Sequence, residues 1–481
     1  MRLIYYPLGR NISLVNSKQT IVLFVLVLGT LMGALDSTIV ILAFPAIAEG
    51  LHSDIATTIW IILIYLLVTA VTTTPFGRIG DLYGRSRMFN AGFAIFTIGS
   101  VLCGIAHNIQ LLILFRAVQA IGGSLLQSNS GAIIADVFPR NERGSAFGYN
   151  SLGWTAGAMI GIVLGGVITT FLGWEYIFFI NIPIGIAAVI LGIFYLKDVE
   201  QVKTSLDLVG MSLLAGSLSL LSFGAVDYAG QGLNLFNLVL MILGAITVPL
   251  FIFYELRSTS PMLDLRTFSD RVLKYSILAA FFMSLGYLSV VFLIIMYLQG
   301  VRGLSPLDAS LLLIPGYVVG SILSPLMGKL SDRYGARIIA STGVVMLGFA
   351  ILVYLTLGRD TPIYVVLIAS AISGIGTSMF YPANNSAVMA SARTGSYGSI
   401  SGLLRTLQNI GILGSFVMAI SVASASIPRS DAFEIFIGTT NLSGGLSKEF
   451  ITGMDSALWV SLILLAISGV MSVIRGKESR V

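Results

Sequence analysis

Two stretches of this chain, GRIGDLYGR at residues 77–85 and GKLSDRYGAR at residues 328–337, share the pattern G-x-x-x-D-x-Y-G. Their first glycines, Gly77 and Gly328, lie 251 residues apart, and each stretch stands between two long apolar runs. Duplication of a helical half-molecule produces a recurrence of this kind. We therefore predict two halves with the same fold, each carrying one copy of this loop.

The composition excludes a water-soluble protein. Of the 481 residues, 56% are hydrophobic and only 10% are charged, whereas a soluble domain carries about 25% charged residues. The net charge of +5 does not indicate nucleic-acid binding, because the Lys and Arg residues lie in short clusters between apolar runs. Cys103 is the only cysteine, which excludes an intramolecular disulfide and a cysteine-based metal site.

Fourteen apolar runs are long enough for a bilayer span of about 20 residues. The fold class is therefore an all-α membrane protein. The predicted spans are 20–46, 56–76, 88–106, 109–134, 146–172, 176–196, 207–226, 234–254, 273–298, 306–327, 338–357, 362–390, 398–424 and 455–474.

The basic residues predict the orientation of the chain. With both termini in the cytoplasm, 21 of the 27 Lys and Arg residues fall on the cytoplasmic side and four in external loops. We therefore expect a multi-pass protein of the cytoplasmic (inner) membrane with cytoplasmic termini. Residues 1–18 are polar and basic, and the apolar run that follows is too long for a signal peptide, so we expect an uncleaved anchor.

The repeat divides the chain into an N-terminal six-helix bundle (1–200), two linker helices (201–260) and a C-terminal six-helix bundle (261–481). Two halves with a site between them are the plan of a rocking secondary transporter. The sequence has no P-loop, so no ATPase is visible. Its two histidines, His52 and His107, fall in predicted loops, which argues against an intramembrane hydrolase or metal site. No cofactor and no obligatory protein partner are expected.

Asp36 is the only one of the 22 acidic residues that falls well inside a predicted span; Asp136, Asp207, Asp227, Glu255 and Asp455 fall at span ends. A carboxylate at that depth costs several kcal/mol unless it is protonated or paired, so we expect it to serve proton coupling. The alternative is a structural Asp satisfied by the hydroxyls of Ser37 and Thr38.

Arg116 is the expected partner of Asp36. At 1.5 Å per residue, Asp36 lies about 24 Å from the cytoplasmic start of its helix and Arg116 about 10 Å from the external end of its own. In a hydrocarbon core about 30 Å thick, both lie in the outer half. We expect a proton relay; the alternatives are a static ion pair and an Arg that extends to the surface.

Four patterns together resemble the major facilitator superfamily and, within it, the fourteen-helix drug:proton antiporters. Residues 77–87 are similar to the family's loop signature, residues 35–45 to its first-helix signature, residues 112–123 to its fourth-helix signature and residues 157–166 to its fifth-helix antiporter signature. The resemblance covers nearly the whole chain.

The chain departs from these signatures at three positions. Ile41 stands where the family usually has Asn, and Ala120 replaces a usual Gly. Ile162 replaces the proline that marks antiport in the family. Because proline kinks helices, its absence leaves the direction of transport open.

The resemblance implies a conformational latch in the repeated loops, whereas the residues alone would also fit a solvated charged turn. The implied latch residues are Gly77, Asp81, Gly84, Arg85, Arg87, Gly328, Asp332, Gly335 and Arg337. A second implied set serves close helix packing, as small residues on one helix face allow: Gly157, Gly161, Gly165 and Gly166.

A substrate cavity between the halves is expected to be apolar with a few polar groups. Its candidate lining residues are Trp60, Tyr65, Gln119, Asn384, Asn385, Gln408 and Asn409. The alternatives are membrane-belt aromatic residues and ordinary hydrogen bonds between helices. Arg405 lies about seven residues inside its predicted span, near enough to the cytoplasm to extend there.

These observations predict a proton-coupled exporter of lipophilic drugs. With one embedded carboxylate, and no acidic residue between Ser310 and Leu326 of the tenth span, monocationic or neutral compounds are favoured over dications. A dedicated transporter of one metabolite, such as a sugar, amino acid or siderophore, shares the same fold. The alternative outside transport is a membrane sensor that moves no substrate.

Overall fold

Fourteen helices in the described part of the chain are long and apolar enough to cross a membrane. The structure is a computed structural model and describes residues 17–198, 207–259, 261–426 and 445–476, with residues 428, 432 and 435. The helices are α1 Ser17–Gly50, α2 Trp60–Tyr83, α3 Arg85–Gly104, α4 Ile109–Val137, α5 Arg143–Phe171, α6 Tyr176–Tyr195, α7 Leu208–Gln231, α8 Leu235–Arg257, α9 Arg271–Val301, α10 Pro306–Tyr334, α11 Ala336–Tyr354, α12 Tyr364–Ser391, α13 Tyr397–Ser426 and α14 Gly445–Ile474.

The predicted count and class are confirmed, while several helix ends differ. The α14 helix begins at Gly445 rather than at 455, so Asp455 lies inside the helix and not at its end. Short interruptions divide α6 after Phe179 and α10 after Leu311. The predicted external loop at 425–454 is described only in part, and its last ten residues belong to α14. The basic N-terminal segment lies outside the described residues up to residue 16.

Polar side chains fix the starts of several helices. Asn108 accepts a hydrogen bond from the Leu111 amide at the start of α4, and Asp270 accepts one from the Leu273 amide at the start of α9, each at 2.8 Å. Such caps satisfy amide groups that have no partner within the helix. The sequence therefore encodes where these helices leave the preceding loops.

The two copies of the repeated motif make the same turn. Gly84 between α2 and α3 has φ +111°, and Gly335 between α10 and α11 has φ +101°. Only glycine adopts such values without steric cost. The eighth residue of the motif therefore has the same conformational role in each half.

Each half is a bundle of six helices, and four helix pairs make most of the contacts between the halves. Between the halves, α2 packs against α13, α5 against α10, α4 against α13 and α5 against α12. The predicted linker helices pack beside this interface: α7 contacts both α2 and α13, and α8 packs mainly on α7. Exposed apolar side chains of α8, such as Ile246 and Phe253, fit a face that meets lipid.

Close packing of α1 on α5 depends on the spaced glycines of α5. A Cβ at Gly157 would collide with the Leu31 carbonyl, and one at Gly161 with the Thr38 hydroxyl. Gly165 faces the side chains of Ile39 and Leu42 on the same helix. The fourth glycine, Gly166, faces Leu307 of α10 instead, so the motif serves contacts with both halves.

We expect Gly161→Ala to destabilise the protein by about 1–3 kcal/mol, the usual cost of overpacking a filled interface. Thermal unfolding of the purified protein in detergent measures this change. Gly216→Ala in α7 is the matched control, because no atom lies within 4 Å of the added methyl group. Equal stability of the two variants would contradict the close α1–α5 contact.

Candidate functional site

Asp36 of α1 and Arg116 of α4 form a buried ion pair. Their Oδ2 and Nη1 atoms are 2.6 Å apart, and the two side chains are 0% and 2% exposed. The structure thus brings together the two residues that depth alone made plausible partners. Their role in moving protons remains a prediction.

Neutral polar groups complete the surroundings of the pair. The Gln119 Nε2 atom donates to Asp36 Oδ1 at 2.9 Å and to the Ser100 hydroxyl at 2.7 Å. Asn181 of α6 donates to the same carboxylate oxygen at 3.3 Å. Both oxygens of Asp36 are therefore hydrogen-bonded, as a buried carboxylate requires.

Arg116 has neutral partners besides Asp36. It donates to the Ile61 carbonyl at 3.1 Å and to Gln119 Oε1 at 2.6 Å. Its guanidinium carbon also lies 4.6 Å from the ring centroid of Tyr65 and 5.8 Å from that of Phe178, which is cation–π geometry. The guanidinium therefore has partners that do not depend on the charge of Asp36.

A cavity lies between the two halves, and Tyr65 separates it from the ion pair. Tyr65 lines the cavity, whereas Asp36 and Arg116 do not. The Tyr65 hydroxyl lies against Gly123, and no hydrogen-bond partner for it exists among the described residues. The ring is therefore a wall with substrate space on one side and the charged pair on the other.

Aromatic and small polar side chains from both halves line this cavity. The aromatic members share the ability to stack on a flat ligand, and they are Tyr65, Trp154, Tyr287, Tyr317, Tyr354 and Tyr381. Asn409 of α13 donates to Gln127 of α4 at 3.2 Å, which joins the two halves at the cavity surface. Thr155 and Ser321 make a second such bridge at 2.7 Å.

Four of the seven predicted cavity residues lie at the cavity: Tyr65, Asn385, Gln408 and Asn409. The other three have different surroundings. Trp60 packs on Phe223 of α7, with ring centroids 5.4 Å apart. Gln119 belongs to the ion-pair network.

Asn384 lies behind the cavity wall rather than on it. It donates to the Ser276 carbonyl at 3.0 Å and accepts from Arg475 at 3.1 Å. Arg405, expected to extend towards the cytoplasm, instead lines the cavity and donates to Gln408 Oε1 at 3.1 Å. Asn181 belongs to residues 174–185, a stretch that resembles the same antiporter family and that we interpreted as structural, so the sequence did not assign it to the ion pair.

The repeated loops connect the halves at one membrane face, which we call the latch face. Asp81 of the first loop accepts hydrogen bonds from the Gly398 and Ser399 amides at 2.7 and 2.8 Å. These amides belong to the first turn of α13, so a carboxylate of one half caps a helix of the other. The partial positive charge of a helix N-terminus favours such an anion.

The second loop makes the reciprocal contact. Asp332 accepts hydrogen bonds from the Gly144 and Ser145 amides, both at 2.7 Å, in the first turn of α5. Gly77 approaches Gly398, and Gly328 approaches Gly144, so closely that a Cβ at Gly77 or Gly328 would meet the opposing carbonyl oxygen. The latch face is therefore closed in this structure by two equivalent contacts.

An ion network surrounds the first latch. Arg85 pairs with Asp81 at 2.7 Å and with Asp136 at 2.5 Å. Arg87 lies 3.4 Å from Asp198, in the same half of the chain. In the second loop, Arg337 lies in the first turn of α11.

Comparison with known families and structures gives one consistent result. The family model described as Major Facilitator Superfamily matches residues 26–415. The human organic anion transporter MFSD10 superposes with a TM-score of 0.63 at 16% identity, covering 93% of this chain and 99% of that one. The proton:xylose symporter XylE gives 0.67 at 13% identity, covering 94% and 95%. These structures establish the fold.

Similar sequences carry transporter names. Riboflavin transporter RibZ of Clostridioides difficile (strain 630) is 31% identical, covering 95% of this chain and 97% of the relative. Multidrug transporter protein MdtP of Bacillus subtilis (strain 168) is 30% identical, covering 82% and 74%. The tetracenomycin C resistance and export protein of Streptomyces glaucescens is 28% identical, covering 84% and 76%.

We expect Asp81→Asn to open the latch face. Thr406→Cys, in a Cys103→Ser background, reports opening, because Thr406 is 1% exposed where it bonds Thr74 across the halves. Removing the carboxylate charge from the α13 N-terminus should raise the rate of labelling by a water-soluble maleimide by roughly fivefold or more.

Asp198→Asn is the matched control for this experiment. Asp198 accepts from the Ser86 amide at 2.7 Å and lies 3.4 Å from Arg87, and both partners belong to the N-terminal half. Its loss should leave labelling unchanged. A labelling rate in Asp81→Asn that equals the rate in this control would show that Asp81 does not hold the face closed.

Proposed function

The chain belongs to the major facilitator superfamily, and from this premise we propose that it exports lipophilic small molecules in exchange for protons, with Asp36 and Arg116 as the coupling pair. That it is a multi-pass membrane transporter rather than an enzyme follows from the family and its fourteen spans. Proton coupling, the orientation of the chain in the membrane and the substrate class are what we propose. We place both termini in the cytoplasm and the latch face on that side.

One observation carries this proposal: Arg116 is paired with the buried Asp36 and also has neutral partners of its own. Protonation of Asp36 removes its charge and weakens the contact between α1 and α4. Arg116 is then held by the Ile61 carbonyl, by Gln119 and by the Tyr65 ring. An arginine without these contacts would make loss of the Asp36 charge prohibitively costly in hydrocarbon.

The proposed cycle uses the two faces in turn. With the latch face closed, Asp36 takes a proton from the opposite side and the substrate leaves. The halves then rock, the two Asp–helix contacts of the latch break, and Asp36 releases its proton to the cytoplasm with help from Arg116. Gly29, Thr30 and Gly33 of α1 line the cavity on the helix that carries Asp36, so substrate contact and proton binding act on one helix.

The position of Asp36 changes what we expect of the substrate's charge. The expectation of monocationic or neutral drugs rested on Asp36 as the charge that faces the substrate. In the structure, Asp36 lies behind Tyr65 and is already paired. Asp36 therefore gives no reason to prefer cations.

Dedicated transport of one metabolite is the second candidate, favoured by the 31% identity to a relative named as a riboflavin transporter over 95% of this chain. A flat heteroaromatic ring would stack on the aromatic cavity walls. A narrow substrate profile among aromatic compounds would favour this candidate, and a broad one the multidrug reading, represented by MdtP.

We expect Asp36→Asn to abolish uphill transport. In vesicles with an imposed proton gradient equivalent to 100 mV, each proton that moves down the gradient supplies about 2.3 kcal/mol. This free energy can maintain a ratio of roughly fifty between the substrate concentrations on the two sides of the membrane. The variant should bring this ratio close to one for fluorescent cationic, neutral and anionic substrates alike. Gradient-free exchange of labelled for unlabelled substrate should persist, because the Asn oxygen still accepts from Arg116.

Asp360→Asn, which removes an exposed carboxylate, is the control for Asp36→Asn. If Asp36→Asn accumulates substrate as the wild type does, the coupling site lies elsewhere. If the wild type moves none of the compounds uphill, proton-driven export itself is wrong.

We expect Tyr65→Phe and Tyr65→Ala to differ sharply in how readily protons leak through the protein. The Tyr65 hydroxyl has no partner among the described residues, so the phenylalanine variant should transport like the wild type. The alanine variant removes the wall between cavity water and the ion pair, and protons should leak through it without substrate. Proton uptake into substrate-free vesicles measures the leak, and equal leaks in both variants would contradict the role of the ring.

A further inference from the structure

Arg405 is a cation displayed to the cavity. It lies in the third turn of α13 and is the only charged residue among the described residues that line the cavity. Its guanidinium has five N–H donors, and its hydrogen bond to Gln408 uses one of them. No carboxylate lies within ion-pair distance of it in the described ranges.

Two buried arginines show what a satisfied guanidinium looks like in this protein. Arg116 has a carboxylate, an amide oxygen and a carbonyl. Arg143 donates to three backbone carbonyls and to the Tyr397 hydroxyl. A charged group at membrane depth is expensive unless it is paired or faces a cavity, and such groups mark ligand pathways in membrane proteins.

Gln408 supplies a second donor beside Arg405. Its Oε1 accepts from Arg405, which fixes the direction of the amide, and its Nε2 has no partner among the described residues. The side chain is only 4% exposed and lines the cavity. A buried N–H with no acceptor costs free energy until a ligand provides one.

We propose that Arg405 and Gln408 bind the anionic group of the substrate, so that the protein transports aromatic or lipophilic compounds carrying one negative charge. A carboxylate, sulfonate or phosphate would accept from both side chains, and the charge-assisted bonds are the strong ones. The Tyr381, Tyr287 and Trp154 rings, which also line the cavity, hold the body of the ligand. This inference rests on the proposed transport function and names its substrate class.

The test is equilibrium binding to the purified full-length chain in detergent, with no proton gradient. Three probes share one fluorophore: dansylglycine is an anion, dansylglycinamide is neutral and N-(2-aminoethyl)dansylamide is a cation. Energy transfer from tryptophan, including Trp154 at the cavity, reports binding. We expect the wild type to bind the anionic probe about tenfold or more tightly than the cationic one.

Arg405→Gln should weaken binding of the anionic probe by about tenfold or more and leave the neutral probe unchanged, because it removes the charge but not the polarity. Arg405→Lys should keep part of the preference, since the charge remains while the planar fork is lost. Arg393→Gln is the matched control, because the Arg393 side chain is 76% exposed at the protein surface; it should bind all three probes as the wild type does.

Three results would overturn the proposal: no binding of dansylglycine to the wild type, equal wild-type affinity for the anionic and cationic probes, or unchanged anionic affinity in Arg405→Gln. Where Arg405→Gln folds poorly, Gln408→Ala takes its place and should also weaken the anionic probe selectively. Asp36→Asn should keep the anionic preference, so a failure of proton coupling and a failure of this inference are separable.

Discussion

The placement of one carboxylate in hydrocarbon governs much of the N-terminal half. Asp36 has to be paired, and pairing it requires α1 and α4 to hold their side chains at the same depth within 2.6 Å. The glycines of α5 let α1 pack closely against the bundle, and Gln119 and Asn181 fill the remaining acceptor positions of the carboxylate. Packing and electrostatics therefore specify the same position for α1, which is why the small residues and the buried polar ones occur together.

The latches use a weaker kind of charge contact than the ion pair. Asp81 and Asp332 each face a helix N-terminus, where the interaction contributes about 0.3–1 kcal/mol and up to about 2 when partly buried. Removing one partner of a fully buried ion pair costs about 3–5 kcal/mol. The contacts between the halves are thus the cheaper ones to break, while the pair within one half persists. This ordering is what the proposed opening at the latch face requires.

Depth along a helix could be calculated from the sequence, but direction around the helix axis could not. Depth was enough to predict that Asp36 and Arg116 are neighbours, and the repeated spacing was enough to predict that the two loops are equivalent. Trp60 was misplaced because α7, a linker helix, packs where a cavity wall was expected. Asn384 was misplaced because Arg475, at the far end of the chain, reaches it from α14. The Arg405 side chain was expected to extend to the membrane surface, whereas in the structure it lines the cavity.

The proposed proton site and the proposed substrate site lie apart, which changes how the two can be coupled. A substrate at Arg405 and a proton at Asp36 share no group, so they cannot compete for one carboxylate. Coupling would then have to pass through the position of α1, because Gly29, Thr30 and Gly33 of this helix line the cavity and its Asp36 is the proposed proton site. The charge balance suits export: expelling one anion for each proton admitted moves two charges in the favourable direction, about 4.6 kcal/mol per 100 mV. A membrane that is negative inside would thus help to expel such a substrate, whereas exchange of a monocation for a proton gains nothing from the membrane potential.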